Sequence, residues 1–159
     1  MKDGYIQHVR VSANAAVGAN YLAKPDSKVV GMIGSGDMAR CFAEAFSAVG
    51  NIQIIKAYSS KRANFLKYCH EITEHLGCEV VPVHDPKEAL RGAEIGATCT
   101  NSYSPVAQGD WLEPGSHIAS FMSSELGRTC VLASMRPVLW STGPLPWRKG
   151  SWTMTLAFA

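Results

Sequence analysis

The spacing with the most chemical content in this 159-residue chain is Gly34-Ser35-Gly36-Asp37-Met38-Ala39, which fits G-x-G-x-x-A. In that pattern the first glycine allows a tight turn and the second lets the main chain approach a pyrophosphate. The small third position admits close helix–strand packing. An anion is the expected ligand. A helix opening here would aim its free N–H groups and its positive dipole end at the bound group.

Two further segments belong to the same chemistry. In a dinucleotide-binding unit the end of the second strand selects the cofactor, because a carboxylate there binds the ribose 2′-hydroxyl of NAD and repels a 2′-phosphate. Tyr58-Ser59-Ser60-Lys61-Arg62 offers two hydroxyls and two cations there and no acid. That favours NADP over NAD. The competing reading is a solvated basic helix start, although cations oppose the dipole at a helix N-terminus. Thr98-Cys99-Thr100-Asn101-Ser102 lies at the end of the strand beside the switch point, where Thr100 and Asn101 are placed for the nicotinamide half. The competing reading is a Ser/Asn-rich loop whose side chains satisfy its own turns. His117 alternates into one face of a strand and reads as a structural histidine. No acid/base pair stands out, so no catalytic residue is assigned.

The elements that must position these residues follow from periodicity. Val29, Val30, Met32 and Ile33 form the apolar run of a parallel strand covered on both faces. Met38, Phe42, Ala45, Phe46 and Val49 line one face of the next helix, and Gly50 sits at its C′ position. A second strand over Ile52–Tyr58 leads to a helix with Phe65, Cys69, Ile72 and Leu76 on one face and Gly77 at C′. Glu79–Val83 is a third strand, with Pro82 suited to a sheet edge. Asp85-Pro86-Lys87-Glu88 opens a short helix: a cap, a proline at N1 and a capping-box glutamate. Strands follow over Ile95–Thr100 and Ser116–Phe121. Upstream, Arg10–Ala23 is an alanine-rich helix built for close packing, ending before Lys24-Pro25-Asp26. The pattern predicts an α/β fold, a doubly wound parallel Rossmann sheet of order 3-2-1-4-5. Residues 25–130 would form the dinucleotide domain. From Val131 the pattern stops, no element is assigned to 131–159, and no Asp or Glu occurs after Glu125. Either this tail is a loosely packed extension or the reading frame has departed from its parent.

Composition narrows the class. A net charge of +2 gives no electrostatic case for nucleic acid or a membrane surface. No apolar run approaches the ~20 residues that span a bilayer. The N-terminus lacks the apolar core of a signal peptide, so a cytoplasmic protein is expected. Five cysteines, odd in number, scattered and without C-x-x-C, read as buried reduced thiols rather than disulfides or metal ligands.

VVGMIGSGDMA, then DPKEALRGAEI, then TCTNSYSPVAQGDWLEPGSHI, together resemble the ornithine cyclodeaminase/mu-crystallin family. Arg10-Val11-Ser12-Ala13 through Tyr21-Leu22-Ala23 resembles the helix that precedes the family's nucleotide fold. The likeness covers about Tyr5 to Arg128. It implies an NAD(P)-dependent enzyme acting at the α-carbon of amino or imino acids. Arg10 is similar to the family arginine that holds the substrate carboxylate. The next family position, a threonine at the cofactor phosphate, is Val11 here. Gly34, Ser35, Gly36, Asp37 and Met38 fall on the pyrophosphate loop. Ser59, Ser60, Lys61 and Asn64, with Arg62 between, fall where the adenosine ribose and its phosphate bind. Thr100, Asn101 and Ser102 fall on the nicotinamide side. The cyclodeaminase aspartate after the fifth strand is Ser124 here, with Glu125 beside it as a displaced substitute, which favours imine reduction over cyclodeamination.

The family's N-terminal portion, which supplies the dimer surface and much of the substrate pocket, has no counterpart in the chain. Residues 1–24 would therefore lead from a missing substrate and dimerisation domain, and the full-length parent would be a homodimer. The expected function is a fragment of an NADPH-dependent imino-acid or ketimine reductase. The alternatives are a cofactor-binding module without catalysis, a chain that does not fold stably alone, and a cyclodeaminase or alanine dehydrogenase activity in the parent.

Overall fold

In the computed structural model, residues 3–61, 65–128, 130 and 153–156 are described. Arg62 and Asn64 lie outside them, as does most of the tail. The order of elements is α1 (Asp3–Leu22), β1 (Val29–Ile33), α2 (Asp37–Val49), β2 (Ile54–Tyr58), α3 (Phe65–Leu76), β3 (Glu79–Pro82), α4 (Pro86–Leu90), β4 (Ile95–Thr98), β5 (His117–Ser120) and β6 (Thr153–Leu156). Short 3₁₀ turns occupy Gly109–Trp111 and Ser123–Glu125.

The strands form one parallel sheet ordered β3-β2-β1-β4-β5-β6. Its first five strands have the expected order 3-2-1-4-5. β1 is central: Met32 pairs with Ala57 on one side and Ala97 on the other. Val30, Met32 and Ile33 are buried, as an apolar strand in a doubly covered sheet requires. One core joins β1 and β2 to α1, α2 and α3 through Val11, Ala15, Phe42, Phe46, Tyr68 and Ile72. Another joins Ile33 and Ile118 to Leu90, Leu112 and Leu126. Phe42 and Phe46 meet edge to face, with ring centres 5.7 Å apart.

Local rules account for most boundaries. Asp85 Oδ1 accepts the Lys87 N–H at 2.7 Å, and Pro86 begins α4. Glu88 reaches back to the His84 N–H at 3.3 Å, one residue ahead of the cap. Pro82 lies on the outermost strand, β3, where a missing N–H costs no interior ladder bond. Ala15, Ala16, Ala19 and Ala23 are buried where α1 packs on α2, the close approach that small residues permit.

Three expectations change. Gly77 ends α3 in the left-handed region at φ 67°, but Gly50 has φ −144°, extended backbone open to any residue. Val49, expected on the buried face of α2, is 41% exposed; it is the last residue of the helix, where helix ends fray. Thr153–Leu156 pairs in parallel with His117–Ser120, inside the tail to which no element was assigned. Four residues are too few for an alternation to stand out among the tail's tryptophans and prolines.

Candidate functional site

The C-terminal ends of β1, β2, β4 and β5 face one edge of the sheet. The strand order reverses at β1, with β2 and β3 on one side and β4 and β5 on the other, which makes the ends of β1 and β4 the crevice where open α/β sheets take ligands. The glycine turn fills the β1 end. Gly34 has φ 124°, and an added Cβ would overlap the Cys99 carbonyl. The fold itself therefore requires glycine there. Gly36 is different. Its φ of −81° and ψ of −172° suit any residue, and an added Cβ would meet nothing within 4 Å. Glycine at 36 serves no packing need among the described residues; it leaves open space over the first turn of α2. Because the N-cap is glycine, no side chain occupies the first free N–H groups of the helix. Ala39 is fully buried and Met38 nearly so, so Met38 brings only its main chain to the loop. Asp37 is exposed, 3.9 Å from Arg40.

Arg40 is a residue that motif reasoning passed over. Its Nη1 donates to the Ser35 carbonyl at 3.0 Å, while Nε and Nη2 donate to Glu71 Oε2 at 3.1 and 2.7 Å. The guanidinium lies 5.4 Å from the centre of the Tyr68 ring. It ties the glycine turn to α3. Its hydrogen bond holds the Glu71 carboxyl below the usual range. An arginine directly after G-x-G-x-x-A was a signal, but its α3 partners follow from the fold alone.

Ser35 donates to the Ser59 hydroxyl at 2.8 Å, and the Lys61 N–H donates to the same oxygen at 3.3 Å. The glycine turn and the end of β2 are thus one structure. Beside them a cleft of about 270 Å³ opens between the ends of β2 and β3, lined by Tyr58, Ser59, Ser60, Phe65, Pro82 and His84 among others, with no carboxylate among the described residues of its wall.

At the other side of the crevice the organiser is Glu125, which is fully buried. Its Oε1 accepts the Thr100 N–H and the Thr100 hydroxyl, both at 2.6 Å. Its Oε2 accepts the Met122 N–H at 2.9 Å and lies 3.1 and 3.2 Å from the Thr98 and Ser120 hydroxyls, whose shorter bonds run from Thr98 to Ser120 at 2.8 Å and from Ser120 to the Met122 carbonyl at 2.6 Å. This corrects the expectation that Glu125 substitutes for the aspartate missing at Ser124: both oxygens are committed to the protein. Ser124 itself donates to the Ser102 carbonyl at 3.4 Å. The Thr100 hydroxyl is spent on Glu125, and Ser102 donates to the Ser104 carbonyl at 2.8 Å. Of the three residues expected on the nicotinamide side, the exposed Asn101 has a side chain facing solvent. The self-satisfied turn weighed from sequence describes Thr100 and Ser102.

Arg10 is exposed on α1, although its neighbours Val11 and Ser12 are buried. A cleft of about 340 Å³ between the starts of α1 and α2 is lined by Tyr5, His8, Asp37, Arg40 and Glu44 among others. Arg10 lines neither cleft. The five cysteines are buried thiols, none of them in a disulfide among the described residues, and burial pushes the Cys99 thiol well up. Burial also lowers His117 to about 4, which keeps it neutral. Among the described residues no group of three or more His, Cys, Asp or Glu side chains could hold a metal ion, and no helix is long and apolar enough to cross a membrane.

A profile of the ornithine cyclodeaminase/mu-crystallin family matches residues 1–136. A delta(1)-pyrroline-2-carboxylate reductase of Bacillus cereus is 31% identical over 118 residues, which are 74% of this chain and 36% of that protein. The structure of the Thermococcus litoralis delta(1)-pyrroline-2-carboxylate reductase in complex with NADH and L-proline superposes with a TM-score of 0.71 at 34% identity, covering 74% of this chain and 36% of that one. An archaeal alanine dehydrogenase dimer with bound NAD superposes with a TM-score of 0.67 at 32% identity, covering 72% of this chain and 35% of the other. The chain spans about a third of the length of the curated relatives it matches.

Proposed function

Because the chain belongs to the ornithine cyclodeaminase/mu-crystallin family, we propose that it holds the dinucleotide half of an NAD(P)-dependent oxidoreductase that reduces an imino acid. The observation that carries this reading is the contrast between the two glycines. The protein's own packing demands Gly34 and leaves Gly36 open, as a main chain shaped to take a pyrophosphate must be. The residues present fit the group. Gly34, Ser35, Gly36, Asp37 and Met38 would offer main-chain N–H groups to the pyrophosphate, and the cleft beside Ser59 and Ser60 would take the adenosine. Asn101 would face the nicotinamide. When bound, the dinucleotide supplies the hydride; the chain's part is to bind and orient it.

NADPH is the preferred form in this reading. Among the described residues no carboxylate lines the cleft at the end of β2, and Lys61, with Arg62 and Asn64 next in the chain, would supply the cations and amide that a 2′-phosphate pairs with. Arg10 is the substrate anchor, its planar fork suited to a carboxylate. Its exposure on α1 fits a pocket completed by further chain of the kind that makes up the rest of the relatives' length. Residues 1–24 lead from that portion, residues 25–130 form the nucleotide domain, and the longer protein is a cytoplasmic homodimer. A second reading, a binding module without catalysis, draws on the commitment of Thr100, Ser102 and Glu125 to internal hydrogen bonds.

Titration of the 159-residue chain with NADPH and NADH, followed by intrinsic fluorescence, tests the reading. Binding of NADPH more tightly than NADH is expected; the reverse order overturns the cofactor preference, and no binding of either overturns the function. An assay with pyrroline-2-carboxylate then separates the enzyme from the module. In an active protein Arg10→Ala weakens substrate by about tenfold or more, the worth of a charge-assisted pair, with cofactor unchanged; equal losses remove Arg10 from the anchoring role.

A further inference from the structure

We propose that Glu125 is a positioning residue for the nicotinamide end of the site, a clasp that closes the base of the loop between β4 and Ala107. The inference rests on the dinucleotide reading above. Its starting point is a buried carboxylate for which Thr100, Thr98, Ser120 and Met122 supply the partners.

The clasp holds the loop at both ends. At the start, the Glu125 side chain takes the N–H and the hydroxyl of Thr100. At the finish, the Glu125 main-chain carbonyl accepts the Val106 and Ala107 N–H groups at 2.7 and 3.1 Å. Between these ends residues 101–105 stand out from the surface, with Tyr103 86% exposed. The second carboxylate oxygen is fixed from β5 through Ser120 and Met122. One acid therefore sets where a projecting loop leaves the sheet, at the ligand-facing edge of the strands.

Stapling β4 to β5 does not by itself require this residue. The two strands are already in register from Ile95↔His117 to Thr98↔Ser120. The Glu125 side-chain contacts gather at the far end of that ladder and beyond it, where ligand chemistry is decided. The chemistry of the clasp is also specific. Each carboxylate oxygen faces a main-chain N–H, so both atoms must accept. A glutamine would turn its amide nitrogen toward one of those N–H groups and open that half.

The experiment compares ligands with and without the nicotinamide: ADP-ribose against NADH, and 2′-phospho-ADP-ribose against NADPH, using whichever pair the unsubstituted chain binds. In Glu125→Gln, affinity for the whole dinucleotide falls by about tenfold or more, the consequence of a buried donor left unpaired. Affinity for the truncated ligand stays within about twofold, because the pyrophosphate loop and the adenosine cleft lie on the other side of the crevice. Equal losses for both ligands, or no loss for either, overturn the inference and leave the dinucleotide reading standing. Failure of the unsubstituted chain to bind any of the ligands removes both. If Glu125→Gln loses its cooperative thermal transition, Ser120→Ala decides. It removes the hydroxyl that links Thr98 and the Met122 carbonyl beside the carboxylate, so the same selective loss in smaller measure is expected, and a uniform loss counts against the clasp.

Discussion

Replacing Gly36 with alanine separates a residue kept for the fold from one kept for a ligand. The backbone at Gly36, φ −81° and ψ −172°, is open to alanine, and the added methyl meets nothing within 4 Å. Two small effects then oppose each other. Alanine restricts the unfolded chain, worth about 0.4–1 kcal/mol of stability. It is also a poorer N-cap than glycine, at a cost of about 0.5–1 kcal/mol. The sum is close to zero, and the midpoint of thermal unfolding should move by less than about 3 °C. Gly34→Ala has no such balance. At φ 124° the residue is outside the regions open to L-residues, and its methyl would overlap the Cys99 carbonyl. Strain of about 1–3 kcal/mol and overpacking of about 1–3 kcal/mol act in the same direction. That substitution should lower the unfolding midpoint by roughly 5–20 °C.

Binding should show the opposite ranking. A methyl at 36 stands where the pyrophosphate approaches and would cost one charge-assisted hydrogen bond, about 1.5–3 kcal/mol. That corresponds to a loss of about 10- to 150-fold in dinucleotide affinity. The assays are thermal unfolding without ligand and quenching of intrinsic fluorescence by NADPH or NADH. Gly36→Ala with unchanged stability and affinity within about twofold of the parent refutes the reasoning, because the space over Gly36 would then hold no phosphate. Gly36→Ala as unstable as Gly34→Ala refutes it differently, by filling a space that should be open.

Two further predictions concern stability. Burial lowers His117 from an ordinary 6.5 to about 4, so between those values the unfolded chain binds the proton and the folded chain does not. Stability should therefore rise with pH across that window, by up to about 3 kcal/mol in total. His117→Gln should remove that limb when urea midpoints are followed from pH 4 to 7, and parallel profiles for the two proteins would refute it. Tyr68 is fully buried, and its hydroxyl has no hydrogen-bond partner among the described residues. Tyr68→Phe keeps the ring under Arg40 and removes the unsatisfied oxygen, so it should match the parent or gain up to about 1–2 kcal/mol. A loss above about 1 kcal/mol in urea unfolding would reveal a partner for that hydroxyl.

What was legible in the sequence has a physical pattern. Strand β1, the glycine turn, helix α2, the Asp85 cap and the edge proline are each determined within a few residues by chain geometry, so they are readable one at a time. Gly50 and Gly77 mark the limit of that method. Both follow an apolar helix face, yet only Gly77 has positive φ, because composition marks where a helix can end and not the conformation in which it ends. Thr153–Leu156 escaped notice because β5 supplies its pairing partners, and four residues alone carry no period.

The same distinction runs through the site. The glycine turn offers main-chain N–H groups and open space in place of side chains, and such chemistry is written locally as glycine spacing. The opposite end is built by side chains arriving from separate strands. Glu125 shows the difference. In the sequence it is an acid one position from where the family's aspartate was sought, and that neighbourhood suggested a substrate role. In the fold its carboxylate meets Thr98, Thr100, Ser120 and Met122, two of which lie more than twenty residues away in the chain. Distance along the chain erased the signal, and burial reversed its meaning, from a group offered to substrate to one that holds both ends of a loop. Arg10 presents the converse. A resemblance between local motifs assigned it a carboxylate ligand, and it stands exposed on α1, away from both clefts. A contact of that kind depends on what packs over the helix, which no local spacing encodes.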